Sequence, residues 1–103
     1  MDRIEQTYHY NDVIRALKQK DSYYHKAGMT GNFDLIHIVV DAEKVIKQAE
    51  LTDRQAKIFN LYHIQDLTLA DVGARMGISH QAVADSLAQS KVKIQKILDS
   101  WGG

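Results

Sequence analysis

Cysteine is absent from this sequence, and so is proline. Without cysteine there are no disulfides and no thiolate metal sites, and nothing points to an oxidising compartment. Without proline, no position removes a backbone donor from a helix or clashes with the turn before it. An excess charge is missing as well. Thirteen Lys and Arg balance 13 Asp and Glu, so the chain lacks the basic surplus usual for a nucleic-acid-binding domain. The halves barely differ: residues 1–50 carry 7 cations and 8 anions, residues 51–103 carry 6 and 5. Attraction to phosphate must then come from local arrangement. No apolar run is long enough to span a membrane, and no charged-then-apolar start marks a signal peptide. The expectation is a soluble cytoplasmic protein without membrane contact.

Signals of catalysis are missing too. There is no glycine-rich phosphate loop and no carboxylate pair in a recognisable arrangement. The histidines at 9, 25, 37, 63 and 80 show no metal-ligand spacing. No enzymatic activity, cofactor or metal is expected.

What is present is helical periodicity. At 103 residues the chain should be a single domain with a modest core. The first nine residues, "MDRIEQTYH", have no firm period and suit a short or frayed helix. Val13, Ile14 and Leu17 make an apolar face between Asn11 and Lys20. The stretch "DSYYHKAGMTGN" has turn chemistry and no period, and reads as a partly packed connector. Its alternative reading is an aromatic-basic surface that stacks bases. From Asn32 or Phe33 to Glu50, Leu35, Ile38, Val39, Ala42, Val45, Ile46 and Ala49 recur at helical gaps. Glu43 and Lys47 are spaced as a helical ion pair, and His37 sits near the apolar stripe as a core or boundary residue.

The C-terminal half is punctuated more sharply. Thr52 and Gln55 have the spacing of a capping box, and Ile58, Phe59 and Tyr62 follow on one face. Thr68 repeats the device, with Asp71 three residues on and Leu69, Val72 and Met76 facing inward. Gly77 suits the left-handed end of that helix, and Ser79 caps the next. Gly73, inside the helix, implies close approach by another helix. The last helix should run from Ser79 to about Ser100, with Val83, Leu87, Ile94, Ile97, Leu98 and Trp101 near one stripe. Trp101 is expected to seal the core.

Two short helices joined by Gly77-Ile78-Ser79 make a helix-turn-helix, with a third helix before it. The fold class is therefore all-α. One or two N-terminal helices, within residues 1–50, pack on or extend a three-helix unit spanning 51–103. In that geometry the second helix presents its N-terminal residues to the major groove.

The stretch "LTDRQAKIFNLYHIQDLTLADVGARMGISHQAVADSLAQSKVKIQKIL" resembles the fourth region of sigma-70-type sigma factors. The points of match are "LTDRQ", "LTLADVGARMGIS" and the "SHQAV…L" phase, over residues 51 to about 98. The preceding "GNFDLIHIVVDAEKVIKQAE" looks like the leader helix of small phage- and prophage-encoded proteins of this type. The resemblance implies a transcription regulator that contacts double-stranded DNA and RNA polymerase. It implies that Ser79, His80, Gln81, Ala84 and Asp85 face DNA, with Arg75 and Lys91 near phosphates. The family pattern usually has arginine where His80 stands, and more cations around 84 to 92 than Ala84, Asp85, Ser86, Ala88 and Gln89 supply.

Too little chain precedes the match for the domain that melts promoter DNA, so polymerase or a second copy in a homodimer is the expected partner. Neutrality and Asp85 favour a second reading, a protein-interaction module that keeps the fold without binding DNA by itself. A third is a DNA-packaging adaptor.

Overall fold

In the structure, a computed structural model, residues 9–31 and 34–102 are described, and every regular element among them is helical. The expectation for residues 1–8 lies outside this range. The protein is all-α. Its helices are α1 (Tyr10–Lys18), α2 (Lys20–Thr30), α3 (Asp34–Ala49), α4 (Asp53–Phe59), α5 (Leu69–Met76) and α6 (His80–Gly102). A π-helical turn, Asn60–Ile64, continues α4.

The first cap is an acid at the positive end of a helix: the Asp12 carboxylate accepts the His9 amide proton at 2.9 Å. Val13 and Ala16 of α1 are buried, and Ile14 and Leu17 pack beside them. In α3, Val39, Ala42, Val45 and Ala49 recur every three or four residues and are all buried. The strand propensity of "IHIVV" is thus overridden by a helical apolar stripe. His37, expected at the core or its boundary, is exposed. Glu43 meets Lys20 of α2 at 2.9 Å.

The stretch read as a connector is a helix. α2 contains "DSYYHKAGMT", and Gly31 ends it in the left-handed region at φ 73°. The period was invisible because α2 buries little: Ala27 is fully buried and Tyr23 packs against the core. One small side chain cannot write a stripe, so tertiary contact with α3 sets the conformation.

The apolar side chains form two clusters. One joins α1, α3, the end of α4 and the C-terminal half of α6 through Tyr10, Val13, Val45, Phe59, Ile94 and Leu98. Trp101 packs against it as expected, and its indole N–H donates to the Gln48 amide oxygen at 3.0 Å. The other cluster joins α4, the π turn, α5 and the N-terminal half of α6 through Ile58, Leu61, Val72 and Val83. Fully burying a side chain of this size stabilises the fold by ~1.5–3 kcal/mol relative to leaving it exposed. α6 alone spans both clusters among the helices that follow the π turn.

Candidate nucleic-acid interface

The bend between α5 and α6 is built from local chemistry. The Thr68 hydroxyl accepts the Asp71 amide proton at 3.1 Å and starts α5. Gly77, at φ 71°, ends it. The Ile78 amide then donates to the Gly73 carbonyl at 2.9 Å, folding the chain back tightly. A Cβ on Gly73 would lie 2.6 Å from the Ile78 carbonyl oxygen. The close approach expected at Gly73 is therefore made by the backbone of the bend and of the first residue of α6, His80. The Ser79 hydroxyl accepts the Ala82 amide proton at 3.1 Å and opens α6.

This places the seven positions singled out in the sequence. His80, Gln81 and Asp85 are exposed on the first turns of α6, and Arg75 is exposed in the last turn of α5. Ser79 is exposed but occupied as a cap. Gln81 donates its side-chain amide to Asp85 at 3.1 Å. These two therefore present a bonded pair rather than two independent readers. Ala84 is half-buried, and Lys91 holds its ammonium 5.3 Å from the centre of the Tyr10 ring.

What braces this face was legible only in part. Thr52 and Gln55 form the expected capping box, both hydrogen bonds measuring 3.1 Å. Gln55 does more than cap. It is nearly buried, its oxygen also accepts from the Lys93 ammonium at 2.8 Å, and its amide donates to Gln89 at 3.2 Å. One glutamine thus ties the start of α4 to two successive turns of α6. A groove of about 320 Å³ beside it brings Arg54 alongside Asp85 and Ser86. Arg54 is a cation next to the candidate reading face that sequence reasoning left out. Nothing local marks it, since α4 and α6 meet only in three dimensions.

α1 packs against the π turn. The Tyr10 hydroxyl and His63 Nε2 are hydrogen-bonded at 3.0 Å, and the His63 ring lies 4.8 Å from that of Phe59. Burial pushes the Tyr10 phenol up to about 12 and lowers His63 below its ordinary 6.5. Both groups are held neutral by the fold, so each opposes the form that gains a charge. For His63 the contribution is present above about pH 6.5 and is lost as pH falls below it. For Tyr10 it is present below about pH 10 and is lost as pH rises towards 12. Urea midpoints measured across pH should therefore fall on both sides of this window. Tyr10→Phe should flatten the alkaline limb and His63→Phe the acid limb. Limbs unchanged in these variants would show that other groups set them.

Among the described residues, no group of three His, Asp or Glu is placed to hold a metal ion. No helix among them is long and apolar enough to cross a membrane.

A family profile described as "UPF0122: Putative helix-turn-helix protein, YlxM / p13 like" matches residues 43–101. Curated relatives carry the same family name. A UPF0122 protein of Streptococcus equi subsp. zooepidemicus is 36% identical over 53 residues, covering 52% of this chain and 43% of its own length. One from Streptococcus gordonii is 36% identical over 53 residues, covering 52% and 44%. The matched stretch thus spans less than half the length of these relatives. No solved structure gives a significant match.

Proposed function

We propose, from the premise that this chain belongs to the UPF0122 family of YlxM/p13-like helix-turn-helix proteins, that it is a sequence-specific DNA-binding transcription regulator. The observation that carries the reading is the exposed first turns of α6, held outward by the bend at Gly77 and braced from behind by Gln55. Such a helix end suits the major groove. Once the hydrogen bond between them opens, Gln81 can pair with adenine and Asp85 can accept from the cytosine amino group, and Ala84 can touch a thymine methyl. Arg75, Lys91 and Arg54 supply charge for phosphates. Ser79 and His80 sit where α6 would enter the groove.

The similarity to sigma-70 region 4 adds RNA polymerase as the partner that supplies the missing affinity, and a homodimer is the other way to multiply contacts. The sigma-like role and the phage-type origin rest on the residue pattern alone. The family description goes no further than the helix-turn-helix.

Selection from random duplexes at several salt concentrations, with and without RNA polymerase, tests this. Gln81→Ala should relax preference at one base pair by ~1–3 kcal/mol with little change in salt dependence. Arg75→Ala or Arg54→Ala should weaken all sequences alike and flatten the salt slope by about one unit each. A duplex preference that survives Gln81→Ala intact removes this residue from the reading face.

A second reading has its own support. Gln81 and Asp85 already satisfy each other, and an aspartate repels phosphate. An interface with protein in place of DNA would change little as salt rises. No enrichment of any duplex under any condition would favour it.

A further inference from the structure

Lys91 and Ala84 belong to the candidate DNA face by sequence, yet they also line a separate groove of about 400 Å³. Four elements build it. α1 gives Tyr10 and Asn11, the π turn gives Tyr62 and His63, α5 gives Leu69, and α6 gives Leu87 and Ala88 besides Ala84 and Lys91. The volume lies in the lower part of the range of small-ligand sites, ~300–1,000 Å³.

Its chemistry is distinctive. Its lining is mostly aliphatic and aromatic, with the amide of Asn11 among them. Its charged residue is Lys91, and no carboxylate lines it. The other grooves described each include an aspartate: Asp85, Asp99 or Asp12. Tyr62 is half-buried and meets His63 edge-on, with centroids 5.0 Å apart. Tyr62 and His63 both belong to the π turn, and such turns recur at functional sites. Burial favours the neutral His63 ring.

We infer that this groove is a binding site for one unstacked nucleotide of a single-stranded nucleic acid. The base stacks on the Tyr62 ring and the phosphate meets Lys91. An aromatic surface beside one cation is the usual platform for an unpaired base, because every base offers a π-face. Charge selects an anion, and the face of an aromatic ring selects a planar one. The position adds a reason: the groove adjoins the face proposed for duplex DNA, so a strand leaving a duplex end there would pass over it. The site shares Lys91 and Ala84 with that duplex reading, while Tyr62, His63 and Asn11 take no part in it.

The test uses the full chain and three fluorescently labelled probes in anisotropy titrations at low salt. These are an eight-nucleotide single strand of mixed sequence, an abasic strand of equal length and charge, and a blunt duplex. The mixed strand should bind at least fivefold more tightly than the abasic one. Tyr62→Ala should weaken the mixed strand about tenfold, the scale of one base–aromatic stack, while Tyr62→Phe retains binding. Lys91→Gln should reduce the salt slope by about 0.7.

Ala88→Glu adds a carboxylate at an exposed helical position. It should abolish single-strand binding with the helical circular dichroism intact, which keeps the test open should Tyr62→Ala fail to fold. Equal affinity for mixed and abasic strands overturns the inference, and so does binding indifferent to Ala88→Glu. The duplex probe reports separately on the reading face, so failure of one assignment is distinguishable from failure of the other.

Discussion

Replacing Gly73 with alanine should destabilise the protein by ~1–3 kcal/mol, the usual penalty for forcing an atom into a filled space. Helix propensity alone argues the opposite sign, since alanine is favoured over glycine by ~1 kcal/mol inside a helix. Packing decides the matter. The new Cβ would stand 2.6 Å from the Ile78 carbonyl oxygen, with the His80 amide nitrogen and the Ser79 carbonyl carbon each at 3.5 Å. All of these are backbone atoms, so no flexible side chain can swing aside. Relief requires opening the bend, which loosens the hydrogen bond from Ile78 to Gly73 and the Ser79 cap.

Thermal unfolding should record a loss of ~4–8 °C per kcal/mol for a domain of this size. Gly28→Ala is the matched control. Gly28 lies in α2 and an added Cβ there meets nothing within 4 Å, so its midpoint should hold or rise. A Gly73→Ala protein at least as stable as wild type would mean that the bend is looser than its geometry states.

Ile58→Ala should be costlier still, at ~2–5 kcal/mol. Ile58 is fully buried in the cluster with Leu61, Val72 and Val83. Those partners come from the π turn, α5 and α6, so the lost methyl groups leave a void bordered by three separate elements. Little can collapse into it without moving α6. The urea midpoint should fall while the slope of the transition stays constant, because the surface exposed on unfolding hardly changes. A loss below 1 kcal/mol would place Ile58 at a yielding edge instead of a rigid centre.

The part of the molecule that was legible in the sequence is the part written in local chemistry. Thr52 with Gln55, Thr68, Gly77 and Ser79 each fix a helix end within four residues of themselves, and each does so in the structure. Periodicity succeeded for α3, where four buried positions recur along one side. It failed for α2, where Ala27 is the buried residue, Tyr23 packs against the core and most other side chains are exposed.

The π turn was also invisible, because an extra residue in one turn leaves no compositional trace. At the candidate site, sequence spacing put Gln81 and Asp85 on neighbouring lines but did not reveal that they bond each other. Long-range neighbours were beyond its reach. Tyr10 beneath Lys91, and Arg54 alongside Asp85, are separated by most of the chain or by two helices.

The stretch shared with the family opens at residue 43, inside α3, rather than at the Leu51 restart that the caps advertise. The reason is visible in α6, whose far half leans Ile94 and Leu98 on Val45 and Ala49. Anyone trimming this protein to a smallest working piece should cut upstream of those two. A piece beginning at Leu51 would carry a bare oily flank along its longest rod, and would clump before it could be asked what it binds.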